Sequence, residues 1–171
     1  MVHVYKIKKS LQIPMALALV LSVPVFYDLF TRGLPTGQLV LIGILMVLFY
    51  LMAISNLIRR VILDGPKLTI VNYLGRKEID LPSVSALDGL SLGKRQFLSV
   101  SSGGRHHLIQ NSFEGFFELM EAVSTQVPAT KIRDGLEQIR RFPQVRTGDT
   151  IAAWVTVAIL AAVIFFRFVP H

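Results

Sequence analysis

The sequence contains no cysteine. Disulfides, thiolate metal sites and cysteine nucleophiles are therefore excluded. Charge is also scarce, at 17% of residues, where soluble domains carry about 25%. The shortage is local and falls in three long apolar runs. No enzyme pattern is present either: there is no G-x-S-x-G, no Walker loop, no H-E-x-x-H and no G-x-G-x-x-G. His106 and His107 are adjacent in a strand-like stretch, so they point to opposite faces and cannot share a metal. The segment "SSGG" reads as a hairpin turn rather than a phosphate cradle. These absences point to a non-enzymatic protein without a cofactor.

What is present begins with the three runs, residues 11–30, 38–58 and 151–169. Each is close to the ~20 residues that a helix needs to cross ~30 Å of hydrocarbon. The connector "TRGLPTG" is short and rich in turn formers, which makes the first two runs a helical hairpin. "KIKKS" before the first run resembles the start of a signal peptide. The run is long for one, however, and Tyr27-Asp28 stands where a small-residue cleavage site is needed, so a retained span is expected.

The net charge of +7 suggests nucleic acid only until it is mapped. Residues 59–149 hold 13 basic and 10 acidic side chains, a net of +3. Much of the excess adjoins the apolar runs, where it reads as membrane topology. Lys6, Lys8, Lys9, Arg59, Arg60, Arg140, Arg141 and Arg146 lie on one side of a three-span arrangement, and Arg32 and Arg167 on the other. The N-terminus and the central region are then expected to be cytoplasmic, with the C-terminus outside. Asp28 and Arg32 form an expected ion pair at the outer end of the first span. Arg167 is expected to snorkel outward. Trp154 and the Phe165, Phe166, Phe168 cluster fall where aromatic belts form. Ala158 and Ala162 give a small-residue face, expected to pack on the hairpin.

At Arg59-Arg60 the pattern changes. "RRVILD" reads as a strand and "DGP" as a turn. "KLTIVNYL" alternates Leu68, Ile70, Asn72 and Leu74 against Thr69, Val71 and Tyr73, with a turn at Gly75-Arg76. "KEIDL" alternates Ile79 and Leu81 against Glu78 and Asp80. "VSALDGLSL" is a weaker strand, and "QFLSVSS" and "RHHLIQ" flank Gly103-Gly104 as a hairpin. The period then becomes helical. Phe113, Phe116, Phe117, Met120 and Val123 form one stripe, and Asn111 and Glu114 are placed to cap its start. This is a small α+β domain: an antiparallel sheet closed by a C-terminal helix.

Three stretches carry a family resemblance: "LTIVNYLGRKEIDLPSVSAL", "FLSVSSGGRHHLI" and "NSFEGFFELMEAV". The first contains Gly75, Ile79, Leu81 and Val84 in a G-x-x-x-I-x-L-x-x-V arrangement. The last contains Phe113, Phe116, Phe117 and Met120 in an F-x-x-F-F-x-x-L arrangement. Together they resemble the bacterial pleckstrin-homology-like (PH-like) domain of small membrane proteins. The resemblance implies a curved or barrel-like sheet with the helix across one end. Phosphoinositide-binding relatives carry several cations around the first strand–strand loop. The corresponding loop here is "DGPK", with only Lys67, so phosphoinositide recognition is not expected, whereas generic anionic-lipid contact is compatible with the sequence. The stretch is short for such a domain, so an early strand is expected to be reduced.

The segment "ATKIRDGLEQIRRFPQVRTGD" places Ile132, Leu136 and Ile139 on one helix face and cations elsewhere. Such a helix lies on the inner leaflet or packs on the domain; Gly135 weakens it. The expected order is a basic N-terminus (1–10), a transmembrane hairpin (11–58), a PH-like domain (59–127), a basic amphipathic juxtamembrane segment (128–149) and a third span with a short outer tail (150–171). Binding is the expected function. Arg59, Arg60, Lys131, Arg140 and Arg141 are expected to face lipid or a partner, with Lys94, Arg95 and Arg105 as a second patch. The expected partners are an anionic lipid surface, an unknown protein or a second copy, and not nucleic acid. The alternative is an accessory subunit packed in a larger membrane transport or enzyme complex.

Overall fold

A computed structural model describes residues 2–144 and 147–168. Arg146, counted above among the inner-side cations, lies outside the described residues, as do Val169 and the outer tail. The chain divides into two units that interleave in sequence. One is built from the residues up to Lys8 and those from Arg59 to Gln144. The other holds residues 9–58 and those from 147 onward.

The first unit contains two antiparallel sheets. Strands β1 (Val2–Lys6), β2 (Arg60–Asp64), β3 (Lys67–Asn72) and β4 (Gly75–Asp80) form one, in that order; β5 (Ala86–Leu92), β6 (Arg95–Ser102) and β7 (Arg105–Gln110) form the other. Strand β1 places residues 2–6 of the expected basic N-terminus (1–10) in the sheet and supplies the early strand expected to be reduced. It pairs with β2 from Val2↔Asp64 to Lys6↔Arg60. Its Val2, Val4 and Tyr5 suit a pleated surface. Beyond it, Ile7 is buried and bridges to Phe113, the Lys8 N–H donates to the Ser112 carbonyl (3.1 Å), and the Glu114 N–H donates to the Lys6 carbonyl (2.8 Å). The "DGPK" turn therefore joins the second and third strands. The connection between the first two is the helical hairpin itself.

Cross-strand rows fix the core. Leu63 faces Leu68, which faces Ile79, and Val61 faces Ile70. On the second sheet Leu98 and Val100 are fully buried. The turn expected at Gly75-Arg76 falls instead at Tyr73-Leu74. Asn72 pairs with Gly75, and its Oδ1 accepts a hydrogen bond from the Leu74 N–H at 3.1 Å, the self-closing habit of an Asx turn.

Helix α3 (Phe116–Ser124) supplies Phe116, Leu119, Met120 and Val123 to the core. Leu119 takes the inward place that the sequence pattern gave to Phe117. Phe117 is only half-buried and packs edge-on against Phe116, with centroids 5.4 Å apart. The expected cap is also corrected. Gly115 is the N-cap, at φ 67°, and no side chain caps the helix. That left-handed backbone is cheap only for glycine. Asn111 is buried elsewhere: its Nδ2 donates to the carbonyls of Lys94 (3.1 Å) and Gln144 (3.0 Å).

Helix α4 (Asp134–Arg141) packs on the domain through Leu136 and Ile139, both essentially fully buried. Ile132 is not helical; it lies in extended backbone and bridges in parallel to Leu87. Gly135, which weakens an isolated helix, is there for closeness. A methyl on Gly89 would overlap the Gly135 carbonyl, and one on Gly135 would overlap that of Gly89. The helix and β5 meet backbone to backbone. After it, buried Gln96 donates from Nε2 to the Phe142 carbonyl (2.8 Å) and accepts from the Gln144 N–H (2.9 Å).

The second unit is three apolar helices, α1 (Lys9–Thr31), α2 (Thr36–Ile58) and α5 (Gly148–Phe168). Each is long and apolar enough to cross a membrane. The small-residue seam is not where the sequence pattern put it. Ala158 and Ala162 are exposed. The buried seam is on α1, as Pro14, Ala18 and Ser22, one residue every fourth; such spacing brings helices close. Helix α1 packs on both α5 and α2. Ser22 Oγ and the Tyr50 hydroxyl share a hydrogen bond of 2.9 Å. Asp28 pairs with Arg32, as expected, and also with Arg167 at 3.2 Å. Arg167 thus has a partner on α1.

Candidate binding face of the sheet unit

The cations expected to face lipid or a partner separate into tied and free. Helix α4 has several ties. Arg140 grips Glu121 of α3 with two hydrogen bonds of 2.7 Å each and also reaches Glu137 at 3.1 Å. Arg141 pairs with Glu137 at 3.3 Å, and the Lys131 Nζ donates to the Pro82 carbonyl at 3.0 Å. Arg140 holds the Glu121 carboxyl below its ordinary range. Arg141 and then Arg140 do the same for Glu137, and Arg140 is itself raised. Arg140 thus ties the helix to α3, Arg141 is paired within the helix, and Lys131, just ahead of it, is held by the Pro82 carbonyl.

The free cations lie elsewhere. Among the described residues, Lys6, Arg59, Arg60, Lys77, Lys94, Arg95 and Arg105 make no ion pair. Three of the sheet's cations share one row. Lys6 faces Arg60, Arg60 faces Val71, and Val71 faces Arg76. Directly opposed residues share a face, so Lys6 and Arg60 stand side by side with like charge. Such pairs are destabilising unless an anion relieves them. Arg76 forms an exposed pair with Glu78, at 3.0 Å.

Beside this row the two sheets open into a cleft of about 200 Å³. Buried Val61 and Phe113 line it, together with Phe97, and Arg59, Asn72 and Gln110 supply its polar groups. Two hairpin tips adjoin it. Asn72 leads into Tyr73-Leu74, and Phe97 follows Arg95 and the Leu92 tip. The tips repeat one pattern: Leu74-Gly75-Arg76-Lys77 and Leu92-Gly93-Lys94-Arg95. Their leucines are 76% and 70% exposed, the highest values among the unit's described large apolar side chains. The sequence pattern assigned Leu74 to a strand face and so overlooked it; the repeated "LG" plus two cations was the available signal.

Arg105 sits apart from this group, at the β6–β7 turn with Gly103-Gly104. His106 and His107 are split as expected. The Nδ1 of His106 shares a hydrogen bond of 2.8 Å with Ser101 Oγ. Burial, with help from the cations Lys77 and Arg105, lowers the His107 pKa. The arrangement is suited to holding anions against an apolar surface. Searched against family models, curated proteins and solved structures, the chain matches none of them.

Proposed function

We propose that this chain is an integral protein of a bacterial inner membrane, with three spans and a cytoplasmic PH-like domain that acts by binding anionic lipid or a protein partner. The observation that carries it is the interleaving of the two units. Strand β1 precedes the first apolar helix and β2 follows the second, yet they are full partners. Two crossings between them return the chain to the same side. The lysines and arginines near the helix ends favour the cytoplasm for that side. Support for a PH-like arrangement is the strand order: four antiparallel strands, then three, then a helix whose apolar face enters the core. In this reading the hairpin replaces the first strand–strand loop, so the lipid-binding loop of phosphoinositide-binding relatives has no counterpart. The reading is non-enzymatic and needs no cofactor.

Reporter fusions test the topology. Insertion within residues 33–36 or at the C-terminus is expected to report the outer side, and at Gly103 the inner side. An outward Gly103 would reverse the assignment. The second reading, a subunit of a larger membrane assembly, is favoured by the Ala158–Ala162 face of α5, which is exposed among the described residues. Purification in mild detergent separates the two. A stoichiometric larger partner supports the subunit reading, and a lone chain or homo-oligomer supports the self-contained binder.

A further inference from the structure

We infer that the sheet domain docks on the leaflet of its own membrane through the two leucine-tipped hairpins. Tyr73, Leu74 and Leu92 enter the interfacial region, and Lys6, Arg60, Arg76, Lys77, Lys94 and Arg95 hold anionic headgroups. The inference rests on the reading that the three helices cross a membrane.

Chain connectivity selects these tips. The chain leaves β1 at Lys6 and starts α1 at Lys9; it leaves α2 at Ile58 and starts β2 at Arg60. Two or three residues span at most about 10 Å. The end of the first sheet that holds the Lys6–Arg60–Val71–Arg76 row is therefore tethered to the helix ends. The antiparallel register puts the β3–β4 turn at that same end, one step further out. Tyr73 (57% exposed) and Leu74 form its apex.

The second tip flanks the remaining departure point. Asn111 ties the carbonyls of Lys94 and Gln144 together, and α5 begins four residues after Gln144. The Leu92 hairpin therefore stands where the chain heads for the third helix. The turns at the other ends of the sheets, Gly65-Pro66 and Gly103-Gly104, carry no large apolar residue at their apex. Tight turns favour Gly, Pro, Asn, Asp and Ser. Leu74 at the apex of one turn and Leu92 as the last strand residue before the Gly93-Lys94 turn, both beside departure points and each followed by two cations, are the composition of an interfacial anchor. An apolar tip enters the acyl boundary while cations meet the anionic surface. The unrelieved Lys6–Arg60 opposition gains its counter-ion in the same act.

The absence of native cysteine allows a clean test on the full chain. Leu74→Cys, Leu92→Cys, Lys67→Cys and Leu45→Cys are labelled singly with an environment-sensitive fluorophore. They are reconstituted in vesicles of phosphatidylcholine and phosphatidylglycerol carrying spin-labelled lipid. Lys67 is exposed at the far end of the same sheet, and Leu45 lies mid-way along α2. Quenching at positions 74 and 92 should exceed that at 67 severalfold, with a shallow quencher more effective than a deep one. The excess should shrink when phosphatidylglycerol is omitted. Position 45 should be quenched best by the deep label. If 45 is quenched but 74 and 92 are no more quenched than 67, docking is overturned and the spans stand. Quenching of only one tip overturns the two-point dock. Indifference to phosphatidylglycerol overturns the headgroup role of the cations. No quenching at 45 overturns the spans, and the inference with them.

Discussion

The two units use the same apolar residue types with opposite exposure. In the sheet unit, Leu68, Leu81, Leu87 and Leu98 are fully buried. In α2, Leu45 is 56% exposed, and Leu41, Leu48 and Leu51 are similar. Each large apolar side chain left in water forgoes about 1.5–3 kcal/mol. Helix α2 exposes ten of them, which together would forgo more than the whole ~5–15 kcal/mol that stabilises a typical domain. The sheet unit supplies its own apolar medium, whereas the helices need one from outside. The comparison teaches that composition names the residues to be covered, and that register and packing decide what covers them.

Truncating a buried ring should separate the units most sharply. Phe116→Ala removes a side chain that is 3% exposed, and buried phenylalanine truncations cost about 3–5 kcal/mol. Phe117→Ala, at a half-buried site, should cost less than half of that. Leu45→Ala should leave the sheet unit's unfolding midpoint unchanged. Denaturant melts of the full chain in detergent, followed by protease cleavage within the sheet unit, would measure all three. Equal effects of Phe116→Ala and Phe117→Ala would contradict the packing of α3.

The glycine contact comes next. Alanine is the better helix former by about 1 kcal/mol, so Gly135→Ala should stabilise a free helix. Against β5 it should instead destabilise by about 1–3 kcal/mol through overpacking. The same melts decide the sign, and a stabilised variant would mean that α4 is not docked.

How much of this was legible in the sequence follows from which forces are local. The apolar runs, the alternation in "KLTIVN" and "KEID", and the Gly103-Gly104 hairpin are encoded within a few residues and could be read directly. Strand β1 was not legible, because its partner lies more than fifty residues away beyond two helices, and Lys6, Lys8 and Lys9 looked sufficient as a topology signal. Leu119 and Phe117 are two positions apart on one helix, and only the packing direction tells them apart. The capping role expected of Asn111 lost to a long-range demand, the carbonyls of Lys94 and Gln144. In the candidate face the cations were visible as a class. Which of them were already paired was not, since Arg140 meets Glu121 nineteen residues away.

Smaller effects test the electrostatic half of the comparison. The Arg140–Glu121 pair is partly exposed, so Arg140→Gln should cost about 0.2–1 kcal/mol, as exposed pairs do. The folded-state pKa of Glu121 is depressed. Its contribution is therefore present above its unfolded value, near pH 4.3, and is lost as pH falls through the lower folded value. Melts in the acid range should show that loss in the parent and not in Arg140→Gln. The His107 pKa is also depressed. Stability should then fall as pH drops below about 6.5, because the unfolded chain binds that proton more readily. His107→Gln should flatten this slight slope.

The claim that joins the two units is that β1 and β2 meet on one side of a membrane after two crossings. Membrane-impermeant thiol labelling of sealed, oriented vesicles tests it, with single cysteines at His3, Leu34 and Lys67. The account predicts that positions 3 and 67 label from the same side and position 34 from the other. Positions 3 and 67 on opposite sides, or all three on one, would contradict it.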